Sequence, residues 1–97
     1  MARQIIWLPK AEEKFDEIIA YLQNNWTEKE VSNFIKRTEK VLQLILAFPK
    51  LYRRSKRKNI YEAFITKHNL LLYRITRHKI ELITFFDTRQ HPKKKFK

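Results

Sequence analysis

The stretch N-I-Y-E-A-F-I-T-K-H-N-L-L-L-Y-R-I-T-R-H-K-I-E-L-I-T-F-F-D, residues 59–87, decides the fold. Residues 59–66, 70–76 and 79–87 are three strand-length segments rich in Ile, Leu, Thr, Tyr and Phe, separated only by Lys67-His68-Asn69 and by Arg77-His78. Links this short predict antiparallel hairpins. The chain contains no glycine, so the usual positive-φ turn residue is missing and Asn69 is the candidate for a left-handed conformation. Residues 79–87 are apolar on both faces, with Ile80, Leu82 and Phe86 against Ile83 and Phe85, which predicts a central strand covered on each side.

Upstream lies a basic connector, P-K-L-Y-R-R-S-K-R-K at residues 49–58, and before it the period is helical. Val31, Phe34, Ile35, Val41, Leu42, Ile45 and Phe48 form one face over about five turns, and Pro49 stops the helix. Thr27-Glu28-Lys29-Glu30 fits a capping box in which Thr27 accepts from the Glu30 amide and Glu30 reaches back, with Trp26 and Val31 at the hydrophobic-staple positions. An earlier stripe, Ala11, Phe15, Ile18, Ile19 and Leu22, predicts a helix from Lys10 to about Asn24, so the short link through residues 24–27 makes an antiparallel helical hairpin. Gln4-Ile5-Ile6-Trp7-Leu8, ending at Pro9, reads as a strand. The predicted class is therefore α+β in the order β-α-α-β-β-β, a small and mostly antiparallel sheet backed by a helical hairpin. One domain spans residues 1–97, with a basic tail at 88–97.

Composition narrows the chemistry. With no cysteine, disulfides, thiolate metal sites and a cysteine nucleophile are excluded, and a reducing, cytoplasmic location is expected. The absence of glycine removes dinucleotide fingerprints, P-loops, EF-hand loops and nucleophile elbows, all of which need φ > 0 or close backbone approach. The apolar run before Pro9 is too short for a signal peptide, and no run is long enough to span a bilayer, so no membrane association is expected. Residues 1–49 hold seven basic and seven acidic side chains, whereas residues 50–97 hold fifteen basic against Glu62, Glu81 and Asp87, so the second half carries the whole excess of +12. Clustered charge of this kind points to a polyanion, either nucleic acid or a strongly acidic partner segment.

The opening strand with Trp7, the helical hairpin with Tyr21-Leu22 and Trp26, the stop at Phe48-Pro49, Leu72-Tyr73-Arg74-Ile75, and the ending Phe85-Phe86-Asp87-Thr88-Arg89-Gln90-His91-Pro92 form an ordered set. Over nearly the whole chain this set resembles the RelE/ParE toxins of type II toxin–antitoxin modules. The resemblance implies a small sheet backed by a helical hairpin and an acidic antitoxin partner that masks the basic surface. It implies one of two targets: RelE-like members cut messenger RNA in the ribosomal A site, and ParE-like members poison DNA gyrase without a nuclease centre. Ribosome-dependent cleavage stands narrowly ahead on the residues below, and a non-toxic, basic nucleic-acid-binding module is the third reading.

Metal-independent RNA cleavage needs a base, cations on the phosphate and an acid for the leaving oxygen. At the places the family's nucleases use, this chain offers Arg57 and Lys58 before the second strand, Arg74 on the third, and Arg89 and His91 after the last. Arg74, Arg89 and His91 are thus the catalytic candidates, and Arg57, Lys58, Lys93, Lys94 and Lys95 the nucleic-acid-binding ones. Each is open to a plainer reading as strand surface or tail charge. The chain departs from the nuclease pattern by carrying Phe85-Phe86-Asp87 on its last strand, with Arg89 and His91 beyond it. Glu62, the carboxylate of the second strand, is a candidate base by position or else an exposed strand residue. Tyr52, Tyr61, Tyr73 and Phe64 lie among the cations and include candidate base-stacking platforms, although alternation keeps Tyr61 and Phe64 on opposite faces. His68 and His78 have no second ligand at metal spacing, so no metal and no cofactor are expected.

Overall fold

The computed structural model describes residues 3–57 and 59–88. The elements run β1 (Gln4–Trp7), α1 (Pro9–Asn25), α2 (Glu28–Ala47), β2 (Arg53–Arg54), β3 (Ile60–Thr66), β4 (Asn69–Ile75) and β5 (Lys79–Asp87). They form one five-stranded sheet in the order β1-β5-β4-β3-β2 with the helical hairpin on one face. The sheet is antiparallel except for β1, which pairs parallel with β5. The strand expected at residues 79–87 is therefore interior, between β1 and β4, but the helices cover only one of its faces, so the expected cover on each side is corrected to one side among the described residues.

Chain entry into α1 is set by β1. The Leu8 amide donates to the Leu82 carbonyl, the Leu8 carbonyl then accepts from Ala11 and Glu12, and Pro9 occupies the start of the helix, where its missing N–H costs nothing. Fully buried Ala11 lets α1 lie close over β5. Trp7, Phe15, Phe34 and Phe85 join β1, both helices and β5 in one aromatic cluster, with ring centroids between 5.2 and 5.8 Å apart. Buried Thr38 on α2 is satisfied by donating to the Phe34 carbonyl at 2.8 Å.

The cap of α2 forms only in part. Thr27 Oγ1 accepts from the Glu30 amide at 3.4 Å, but among the described residues the Thr27 amide does not donate to the Glu30 carboxylate. Trp26 stays 56% exposed instead of being covered at the staple position. Thr27→Ala is expected to lower stability by about 1 kcal/mol, the weight of a single N-cap bond. Urea unfolding would measure it, and a shift below about 0.3 kcal/mol would contradict the cap.

Three local expectations are corrected. Asn69 is an ordinary strand residue of β4; among the described residues Asn59, at φ 62°, is the one with positive φ. The glycine-free turn is secured by side chains instead: Thr66 Oγ1 accepts from the His68 amide and from Asn69 Nδ2, and a register shift at Ile65 places Thr66 opposite Asn69. The turn between β4 and β5 repeats the device with Thr76 Oγ1, which accepts from the Lys79 amide. The second correction is the connector 49–58, which contains β2, with Arg53 opposite Glu62. The third is a shift between Leu72 and Tyr73 that leaves Ile83 unpaired in the ladder, so the helix-facing set on β5 is Ile80, Leu82 and Phe85. Strict alternation had put Phe86 there.

Candidate functional site

The face of the sheet away from the helices is ordered by register. Arg53, Glu62, Leu72 and Thr84 form one row across β2 to β5; Ile60, Arg74, Glu81 and Ile6 form the next; Phe64, Leu70 and Phe86 form a third towards the far end. Four charged side chains thus meet on two adjacent rows. Arg74 Nη1 donates to Glu81 Oε1 at 3.0 Å, a directly opposed cross-strand pair, half-exposed on the arginine side. Arg53 Nε lies 3.8 Å from Glu62 Oε1.

Glu62 departs from its plainer reading, because it is 4% exposed and not on open strand surface. A carboxylate out of water is costly unless a cation faces it. The basic β2 strand supplies that cation, which explains why an otherwise exposed Arg53-Arg54 pair adds itself to the sheet. By contrast, the Arg74–Glu81 pair sits in high dielectric and contributes on the order of 0.2–1 kcal/mol.

The candidate residues are spread along the strands. Arg57 lies in the β2–β3 loop, its amide donating to Ser55 Oγ and its carbonyl accepting from the Ile60 amide, so it belongs to the end of the sheet near Arg74. Lys58, Arg89, His91, Lys93, Lys94 and Lys95 lie outside the described residues. Thr88, the last described residue, donates from its amide to the His68 carbonyl at 2.8 Å, at the opposite end of the strands. The six residue steps of β3 between those ends span about 20 Å. His68 and His78 occupy opposite ends in the two hairpin turns.

Tyr61 and Tyr73 are buried and offer no open ring face to a base. Tyr61 and Tyr73 stack on each other at 5.6 Å beneath the helices, both buried, and Tyr52 packs at the edge of that core. Tyr73 donates its hydroxyl to the Pro49 carbonyl at 2.7 Å, and burial, with Tyr52 and Tyr61 adding to it, pushes its phenol well above the ordinary range. Phe64 lies on the opposite face, half-exposed, as alternation required. Sequence reasoning missed Glu81 as the partner of Arg74, because opposition across β4 and β5 depends on the shifted register. Among the described residues no group of three or more His, Asp or Glu side chains is arranged to hold a metal ion, and no helix is long and apolar enough to cross a membrane.

Comparison with solved structures places this architecture among known toxins. A chromosomal ParDE toxin–antitoxin system from P. aeruginosa superposes with a TM-score of 0.73 at 11% identity, covering 88% of this chain and 95% of that one. The YoeB dimer from Staphylococcus aureus gives 0.64 at 19% identity, covering 87% and 94%. The E. coli DinJ-YafQ toxin-antitoxin complex gives 0.63 at 8% identity, covering 93% and 97%. At these identities the likeness is one of fold. No curated protein matches the chain in sequence. The family model described as the ParE toxin of the type II toxin–antitoxin system parDE, however, matches residues 5–92, nearly the whole length, and the chain belongs to that family.

Proposed function

We propose that this toxin arrests growth by binding DNA gyrase, and that an acidic antitoxin neutralises it in the resting cell. The observation that carries the reading is the pairing on the open face. Arg74 is held by Glu81 at 3.0 Å and Glu62 faces Arg53 at 3.8 Å, so both arginines already face carboxylates and each carboxylate of these two rows has a cation beside it. A poison that works by binding needs no base, whereas a nuclease needs one in reach of its substrate. The ParE description of the family model supports the same target. Solved relatives such as the DinJ-YafQ toxin-antitoxin complex support an antitoxin partner, and the +12 charge of the chain fits an acidic one. In this reading Arg57, Lys58, Lys93, Lys94 and Lys95 make sequence-independent contacts with phosphate or with acidic side chains.

A second reading is favoured by one feature, the burial of Glu62 on the same face as Arg74. Ribosome-dependent mRNA cleavage would use Glu62 as base, Arg74 and Arg89 on the phosphate and His91 as acid. Growth after induction separates the two. Glu62→Gln and Arg74→Ala, each at the native expression level and folded by circular dichroism, are expected to leave arrest intact. Loss of arrest in both would overturn the gyrase reading in favour of the nuclease. Induction of the unaltered chain without any arrest would leave only a nucleic-acid-binding module.

A further inference from the structure

Away from the open face, a cleft of about 460 Å³ lies between the α1–α2 turn and the β3–β4 turn. That volume is in the range of small-ligand sites, on the order of 300–1,000 Å³. Trp26, Glu30, Asn33 and Arg37 line it from the helical side, Lys67 and His68 from the sheet side. Two features of this lining point outward to a ligand. Trp26 is 56% exposed at a turn that polar residues could make equally well. Arg37 and Lys67 have no ion pair and no side-chain hydrogen bond among the described residues, and Glu30 is the one carboxylate in the lining.

We propose that this cleft binds one nucleotide unit of a single-stranded nucleic acid, its base on Trp26 and its phosphate between Arg37 and Lys67. An indole face beside cations matches a base joined to a phosphate, since stacking is tolerant of sequence and the cations neutralise the backbone. Asn33 supplies a donor and an acceptor, and Glu30 a further acceptor, for a base edge. A purely acidic peptide would be met by the cations alone and would leave the ring unused. The site is separate from the paired arginines of the open face, so it stands or falls independently of the gyrase reading.

The test uses the full purified chain and fluorescently labelled octathymidylate, with anisotropy for affinity and intrinsic fluorescence for contact. Trp7 is partly buried against Phe15 and Phe85, so quenching that disappears in Trp26→Ala is the part that reports Trp26. Octathymidylate is expected to quench that emission, and Trp26→Ala to weaken binding on the order of tenfold, with Trp26→Phe retaining part of the affinity. The Arg37→Gln, Lys67→Gln double variant is expected to reduce the salt slope by about two. An abasic octamer is expected to bind the native chain about as weakly as octathymidylate binds Trp26→Ala. Native-like binding by the Trp26→Ala and double variants, or equal affinity for octathymidylate, the abasic octamer and polyglutamate, would overturn the proposal. The last result would make the surface an acidic-segment site.

Discussion

Alanine in place of Phe85 is expected to lower stability by about 3–5 kcal/mol, as truncation of a fully packed aromatic does. Phe85 is 2% exposed, with its ring 5.8 Å from Trp7 and 5.5 Å from Phe15 between centroids, so its removal opens a void where β1, β5 and α1 meet. A domain with about 5–15 kcal/mol in total loses a large part of it. The comparison that gives the experiment force is Phe86→Ala. The shift at Ile83 turns Phe86 to the helix-free face, where it is only half-buried, so its truncation should cost clearly less. Guanidinium unfolding of both variants reads the register directly. A larger loss at Phe86 than at Phe85 would mean that β5 alternates without the shift.

Tyr73→Phe is expected to reverse its effect with pH. At neutral pH it removes the hydroxyl that donates to the Pro49 carbonyl and leaves that oxygen without its partner, a loss of about 1 kcal/mol. Burial holds the folded phenol above its ordinary range, so the neutral form is the one the fold favours. The stability linked to this group is therefore fully present below the unfolded value near pH 10 and falls as pH rises beyond it, by up to about 1.4 kcal/mol per pH unit. Phenylalanine has no proton to lose. The variant should start less stable and draw level with the native chain near pH 11, with the other tyrosines and the lysines common to both. Parallel stability curves through that range would contradict the burial of the hydroxyl.

Both helices, the hairpin between them and four of the five strands were legible because their signals are local. The stripe from Ala11 to Leu22, the Thr27 cap and Pro49 each act within one or two turns of chain. What escaped depended on contacts between distant segments. The β2 strand has basic composition and no apolar period; it exists because Glu62, nine residues from Arg53, is buried and faces it. The Ile65 and Ile83 shifts cannot be seen in a strand that is apolar on both sides, where either phase buries a hydrophobic residue. Asn69 was the wrong residue for the left-handed backbone because Thr66 and Thr76 hold their turns by side-chain acceptance, without positive φ.

The candidate site was legible in its residue types and not in their pairing. Arg74 could be named as a strand cation, but its neutralisation by Glu81 follows from register, and the pairing of Glu62 with Arg53 from the addition of β2. The cleft at Trp26 was invisible for the same reason. Its two sides, the turn after α1 and the turn after β3, are about forty residues apart in sequence and meet only through the packing of α2 against β3.

The gyrase target is tested most directly by adding the purified chain to two parallel reactions, a gyrase supercoiling assay read for trapped cleaved DNA and a translation extract read by primer extension on its messenger RNA. Stalled, cleaved gyrase complexes with intact message are the expected result. Translation-dependent cuts in the message with normal supercoiling would contradict it and assign Glu62, Arg74, Arg89 and His91 to catalysis.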